Sequence, residues 1–232
     1  MKYHSEFYNK CDDQEQWIRL TDGCFRSCWN CYCPKEVKVY DLPKIVRNKV
    51  RFLDMNFLHA HPNPLQLINN LPNKLNNKVI KYTFLCGLDY TLLTIPILHA
   101  MKKARIGIIN NKSNWSNGLA IAWDRGYNEK SEFMLICSLI KECGFKNIQV
   151  RMLCNGIVSF NECVKKLLIL KQLRISIDDC WYNDQRRGSV KPIHWTDQEC
   201  KLFGKLCRAN NVAIMQNMYD ALDYLYRIEG LK

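Results

Sequence analysis

The sequence lacks a hydrophobic run that could cross a membrane. No stretch of about 18 or more consecutive apolar residues occurs, so we expect no transmembrane helix. Residues 1–17 contain no apolar core of the kind that signal peptides carry. We therefore expect a cytoplasmic protein that does not associate with membranes.

Several nucleotide-binding and catalytic signatures are also missing. The chain has no P-loop, no Gly-x-Gly-x-x-Gly and no Gly-x-Ser-x-Gly. These absences argue against P-loop and Rossmann-type nucleotide sites and against a serine-hydrolase elbow. Apolar residues make up 47% of the 232 residues and charged residues 24%, which is typical of a folded globular protein and excludes a disordered chain or a coiled coil.

Acidic residues are too few to balance the basic ones. The chain has 34 Lys and Arg against 22 Asp and Glu, a formal net charge of +12. An excess of this size fits a polyanionic partner such as nucleic acid, and it fits equally a solvated basic surface. The basic residues are scattered rather than gathered into one block, so both interpretations stay open.

Segments with strand and helix patterns alternate along the chain. The predicted strands are 15–22, 50–57, 79–86, 119–124, 148–153 and 174–178, with 105–109 as a second candidate for the fourth. The predicted helices are a short one beginning within 43–49, then 64–71, 92–103, 129–143, 160–172 and 197–209, followed by a strand and a helix within 212–231. This alternation predicts an α/β fold with mainly parallel strands. No linker divides it, so we predict a single domain over 1–232, with a core at about 15–180 and a C-terminal helical extension at about 195–232.

Cysteine is abundant, and four of the 13 cysteines lie in one loop. Without a secretion signal, thiols indicate a reducing compartment, where they serve metals or catalysis. Cys24, Cys28 and Cys31 form a C-x3-C-x2-C pattern directly after the first predicted strand. Three such thiolates can hold three irons of a [4Fe–4S] cluster, whose usual ligation is four Cys, and so leave the fourth iron open.

Other metal assignments compete with this one. Together with Cys33, the loop offers four thiols, which suit structural zinc, and a zinc-stabilised, non-enzymatic nucleic-acid-binding protein is the alternative function. In the other alternative, Cys33 does not bind the metal. A second cluster built from Cys86, Cys154 and Cys180, at three predicted strand ends, is conceivable.

The loop resembles the signature of the radical S-adenosylmethionine (radical SAM) enzymes, C-x3-C-aromatic-x-C, with Trp29 at the aromatic position. The resemblance implies a partial (βα)6 barrel with its helices outside, and Cys24, Cys28 and Cys31 as ligands of the cluster. SAM would chelate the fourth iron, and an electron from a donor such as flavodoxin or ferredoxin would cleave it. The resulting 5′-deoxyadenosyl radical would abstract hydrogen from a substrate.

The resemblance also suggests residues that contact SAM. Family members often carry a Gly-Gly-Glu-like segment after the second strand, where this chain has Asp54-Met55-Asn56, so Asp54 and Asn56 become candidates beside Trp29. Further candidates at strand ends, each equally able to cap a turn, are Asp89, Asp124, Asn155 and Asp178. Weaker signals are a His-x-His pair and an aromatic-basic segment after the sixth strand, at His59, His61, Trp181, Tyr182, Arg186 and Arg187.

Overall fold

The protein is a mixed α/β structure with parallel strands. The computed structural model describes residues 8–24, 34–109, 114–124, 126–154, 158–181, 195–216, 218, 223, 226, 227 and 230. The strands are β1 (Tyr8–Cys11), β2 (Gln16–Arg19), β3 (Thr21–Asp22), β4 (Lys38–Val39), β5 (Lys49–Phe52), β6 (Lys74–Leu75), β7 (Lys78–Val79), β8 (Lys81–Phe84), β9 (Leu88–Asp89), β10 (Ile106–Ile109), β11 (Trp115–Ser116), β12 (Gly118–Ala122), β13 (Asn147–Cys154) and β14 (Ser176–Trp181). The α-helices are α1 (Phe57–Ala60), α2 (Pro64–Asn69), α3 (Ile95–Lys103), α4 (Lys130–Glu142), α5 (Phe160–Leu173) and α6 (Asp197–Gln216), and short 3-10 helices cover Tyr90–Leu92 and Tyr127–Glu129.

The described helices include none that could span a bilayer, since none combines the necessary length with the necessary hydropathy. By its contacts the chain forms two compact units. The first comprises 1–122 and 133–148, and the second comprises 123–132 and 149–232.

A six-stranded sheet organises the first unit, in the order β1-β2-β5-β8-β10-β11. Its four inner strands run parallel, and an antiparallel strand lies at each edge. Helices α1 and α2 connect β5 to β8, and α3 connects β8 to β10, which is the expected way to join parallel neighbours. The parallel register therefore brings the carboxyl ends of β2, β5 and β8 to the same edge.

The two faces of this sheet differ in chemistry. Phe52 of β5 stacks on Tyr82 and Phe84 of β8, with ring centroids 5.7 and 5.1 Å apart, and Phe57 of α1 adds a third contact. Arg51, one residue before Phe52, points to the opposite face because side chains alternate along a strand. The sheet thus has an apolar face, which packs against helix α1, and a polar face on its opposite side.

Both candidates for the fourth strand pair with the segment 81–89, but at different places. The first part of this segment, β8, pairs with β10, where Tyr82 lies opposite Ile106. Its continuation β9 pairs with β12, where Leu88 lies opposite Ile121. The preference for 119–124 as the fourth strand of the main sheet was wrong, because 106–109 takes that place.

The second unit is built on a parallel pair of strands, with helices packed beside them. β13 pairs with β14 in register from Gln149 to Cys154. The side chain of Asn211 on α6 accepts from the Ile177 amide at 2.9 Å and donates to its carbonyl at 2.7 Å, which ties that helix to β14. Trp195, Phe160 and Phe203 pack edge to face and close the core of this unit.

Local sequence signals located most helix boundaries. Pro64 begins α2, the Ser159 hydroxyl accepts from the Glu162 amide at the start of α5, and Gly144 follows α4 with φ of +86°. The Thr196 and Glu199 capping box is present, with contacts of 2.7 to 3.2 Å.

Two expected elements differ. Residues 43–48 form no helix. The side chain of Gln16 binds their backbone instead, because it accepts from the Val46 amide at 2.9 Å and donates to the Lys44 carbonyl at 3.1 Å. Residues 212–216 continue α6 rather than beginning a strand, since Ala213 is buried on its inner face. The partial barrel and the single domain stay predictions.

Candidate functional site

The Cys-rich loop begins and ends on a closed stem. β3 pairs antiparallel with β4, and the Cys24 amide donates to the Pro34 carbonyl at 2.8 Å. Gly23 has φ of +78°, and a Cβ added there would lie 1.9 Å from the Glu36 carbonyl oxygen. Only glycine fits such a close approach at positive φ. The stem therefore fixes the two ends of the loop that carries the predicted cluster ligands.

The cluster ligands are described only in part. Cys24 is buried at 5% exposure and is a free cysteine. Cys28, Cys31, Trp29 and Cys33 lie outside the described residues. Within the described ranges, which stop at 24 and resume at 34, no three His, Cys, Asp or Glu side chains lie close enough to hold a metal ion.

Asp54 lies just after β5 and reaches across to the neighbouring strands. Its Oδ1 accepts from the Leu20 amide at 3.1 Å, the Thr21 amide at 2.5 Å and the Thr21 hydroxyl at 2.6 Å. The carboxylate therefore ties the carboxyl end of β5 to the short segment that leads into the Cys-rich loop. Its other oxygen, Oδ2, is buried and has no hydrogen-bond partner among the described residues.

The electrostatics of Asp54 are unusual for a carboxylate. Burial raises its pKa from 3.8 to about 6, although the hydrogen bonds from Thr21 and Leu20 act in the opposite direction. A buried oxygen without a partner disfavours the charged form. An ammonium group placed beside Oδ2 would satisfy that oxygen and restore the carboxylate.

Asn56 and Cys86 lie at the same edge. Asn56 occupies the position before α1 but makes no capping bond, and its Oδ1 is buried without a partner among the described residues. The Cys86 thiol, which follows β8, is 3.9 Å from the Met55 sulfur. The structure thus brings Asp54, Asn56 and Cys86 to the carboxyl ends of adjacent parallel strands.

Asp89 serves the local backbone. It is buried, and its Oδ1 accepts from the Thr91 hydroxyl at 2.9 Å and the Thr91 amide at 3.3 Å at the start of a 3-10 helix. This is the turn-capping role that competes with a contact to SAM. The proposed contact stays a prediction.

In the second unit, Asp178 is not at a strand end, because β14 continues to Trp181. It lies opposite Arg151 and forms an ion pair with it at 3.3 Å, with the Asp178 side chain about half exposed. Asp124 is exposed and accepts from the Leu153 amide at 3.2 Å. Asn155 lies outside the described residues.

The contacts of the described residues give little support to the weaker candidates, which are the His-x-His pair, the second cluster and the aromatic-basic segment. His61 Nδ1 accepts from the Asn63 amide at 3.1 Å, and burial lowers the pKa of this imidazole. Cys154 is buried, and its thiol donates to the Met152 carbonyl at 3.2 Å. The side chains of Cys180 and Trp181, together with Tyr182, Arg186 and Arg187, are outside the described part of the chain.

Sequence reasoning missed Lys166, a fully buried lysine in the second unit. Its Nζ lies 5.3 Å from the centroid of the Trp123 ring and 3.5 Å from the Trp123 carbonyl oxygen. Burial lowers the pKa of this ammonium, and nearby Cys163 and Glu162 oppose the change. The available signal was helical spacing, since Lys166 shares the inner face of α5 with Cys163 and Leu170.

In comparisons with known proteins, no family model matches the chain and no curated protein is significantly similar to it. Its function must therefore be inferred from its own residues.

Proposed function

We propose that this protein is a cytoplasmic radical SAM enzyme built on a partial (βα)6 barrel. Cys24, Cys28 and Cys31 would hold a [4Fe–4S] cluster. The observation that carries the proposal is the position of the C-x3-C-aromatic-x-C loop, which follows the first parallel strand and starts from a stem closed between Cys24 and Pro34. Carboxyl ends of parallel strands are where α/β proteins build their sites.

The described residues are chemically suited to this cofactor pair. Cys24 presents a buried, free thiol at the start of the loop. Asp54 offers a buried carboxylate oxygen without a partner among the described residues, which an amino group such as that of SAM would satisfy. Asn56 Oδ1, also buried and without a described partner, supplies a second acceptor at the same edge.

Each residue has a definite task in the proposed site. When bound, the cluster and SAM supply a 5′-deoxyadenosyl radical, with the electron delivered by a flavodoxin or ferredoxin. Cys24 and its two neighbours in the motif bind iron as thiolates. Asp54 orients the amino group of SAM while its Oδ1 keeps the strand ends together. Trp29 is a further proposed contact to SAM, and Asp89 positions the turn after β9.

Metal content provides the first test. After anaerobic reconstitution with iron and sulfide, we expect a brown protein with about four irons and four sulfides per chain. Cys28→Ala should lose the colour and most of the iron. Cys11→Ala is the matched control, because Cys11 is exposed on β1 and outside the motif. A colourless protein that holds one zinc would contradict the proposal and favour the zinc-stabilised nucleic-acid binder.

A second test separates SAM binding from the cluster. With a reductant, the reconstituted protein should convert SAM to 5′-deoxyadenosine, and Cys28→Ala should not. Asp54→Asn keeps the accepting oxygen but removes the charge, so SAM affinity should fall at least ~10-fold while the iron content stays the same. Asp41→Asn, at an exposed position, should bind SAM normally. Equal SAM affinity in Asp54→Asn and the unmodified protein would exclude the role of Asp54.

A further inference from the structure

A cavity of about 320 Å³ lies on the polar face of the six-stranded sheet in the first unit. Four strands contribute to its lining: Lys49 and Arg51 come from β5, Lys81 and Thr83 from β8, Ile109 from β10 and Trp115 from β11. These positions alternate with the buried Phe52 and its neighbours on the opposite face. The cavity is therefore a feature of the sheet itself.

The lining carries an excess of positive charge. The register of β5 and β8 places Lys49 directly opposite Lys81, so two ammonium groups begin side by side on one face. Like charges that lie directly opposite each other on paired strands destabilise the pairing. Arg51 is matched by Glu15, with Nε 2.5 Å from Oε2, so the two lysines leave the lining with a net charge of +2.

Trp115 gives the cavity an ordered aromatic wall. Its indole N–H donates to the Tyr82 carbonyl at 3.4 Å. Its ring packs where the side chain of Gly107 would be, since a Cβ there would lie 2.5 Å from ring atoms. Lys81 Nζ lies 5.4 Å from the ring centroid. A fixed aromatic ring beside two ammonium groups is a combination that can bind a base next to its phosphate.

Thr83 adds a polar group to the same lining. It is only 3% exposed, and its Oγ1 has no hydrogen-bond partner among the described residues. A buried hydroxyl without a hydrogen-bond partner is destabilising. A polar ligand group that enters beside Thr83 would supply the missing bond.

We propose that this cavity binds a free mononucleotide, with its phosphate held between Lys49 and Lys81 and its base against Trp115. The volume is at the lower end of the range for small-molecule sites, roughly 300 to 1,000 Å³, which favours one nucleotide over a dinucleotide. Lys49 begins β5 and Asp54 follows its end, five residues later, so the proposed phosphate position lies about 16 Å from Asp54 along the strand. The phosphate would thus bind away from the proposed position of the SAM amino group.

Equilibrium dialysis of the full chain with AMP, ribose 5-phosphate and adenosine tests the proposal. AMP should bind more tightly than either fragment, because only AMP offers both the phosphate and the base. The double change Lys49→Gln and Lys81→Gln should weaken AMP at least ~10-fold. Lys78→Gln is the matched control, since Lys78 is exposed on β7 and does not line the cavity.

A third variant examines the aromatic wall. Trp115→Leu should weaken AMP but leave ribose 5-phosphate affinity unchanged, and that unchanged affinity also shows that the sheet is intact. Cys28→Ala should bind AMP normally, which separates this site from the proposed cluster. The proposal is overturned by no AMP binding at millimolar concentration, by an equal loss in Lys78→Gln, or by ribose 5-phosphate binding as tightly as AMP.

Discussion

Asp54 in the first unit and Lys166 in the second are both buried ionisable residues, but their surroundings are of different kinds. Asp54 accepts three hydrogen bonds through one oxygen, two of them from backbone amides at the end of the neighbouring strand. Lys166 lies over the ring of Trp123 on the inner face of α5. Asp54 holds the backbone that leads into the Cys-rich loop, whereas Lys166 is surrounded by packed side chains. We therefore expect changes at the two sites to have different consequences.

Gly23→Ala should have the largest effect, because it disrupts the backbone beside Asp54 without changing any charge. The new Cβ would collide with the Glu36 carbonyl oxygen, so we expect a loss of at least ~3 kcal/mol in the free energy of unfolding. Gly144→Ala is the control. Gly144 also has positive φ, but its nearest contacts are flexible Lys102 atoms at 3.6 Å, so only about 1 kcal/mol should be lost. Equal losses in urea unfolding would show that the stem is not tightly packed.

The pH dependence of Asp54 comes next. Its folded pKa of about 6 lies above the ordinary 3.8, so the folded state binds the proton more tightly. The resulting stabilisation is complete below pH 3.8 and is lost as the pH rises through about 6, an expected change of about 3 kcal/mol. Asp54→Asn should lack this loss. The difference in unfolding free energy between Asp54→Asn and the unmodified protein should therefore grow between pH 4 and pH 7, and a constant difference would contradict the assignment.

Lys166→Met should have the smallest effect on the free energy of unfolding, and it should stabilise the protein rather than destabilise it. The lowered pKa means that the unfolded chain binds the proton more tightly, so the stability of the unmodified protein rises with pH towards the ordinary lysine value of 10.5. Methionine keeps the apolar stem and removes the charge. We expect a gain of about 1 kcal/mol at neutral pH that shrinks as the pH rises towards 10.5. A loss of stability at pH 7 would show that the Lys166 ammonium is needed where it lies.

Much of the fold could be predicted because its signals are local. The Thr196 and Glu199 capping box, Pro64 at the start of α2 and Gly144 after α4 each act within a few residues, so the sequence alone locates them. Period-2 alternation of polar and apolar residues is visible in β5, β8 and β13. The choice between 106–109 and 119–124 could not be made in this way, because both segments have strand patterns and only pairing with 81–89 distinguishes them.

The candidate site likewise combines features that the sequence shows with features that only strand pairing decides. The cysteine spacing and the segment after the second strand are visible in the sequence. That Asp54 bonds to Thr21, 33 residues away, is a property of strand pairing and could not be derived from local pattern. Asp178 was misplaced by local pattern. The predicted strand ended three residues too early, so Asp178 was expected at the end of the strand, whereas it lies within β14 beside Arg151.

By itself, the sequence determined the α/β class, most helix boundaries and a loop with thiols at fixed spacing, because propensity, capping and motif spacing act over a few residues. Tertiary structure alone decided that Lys49 and Lys81 lie side by side in the lining of a cavity, that Asp54 keeps one oxygen without a described partner, and that Lys166 is buried against Trp123. Each of these depends on strand register or helix packing, which join residues far apart in the chain and give them surroundings that no short segment encodes.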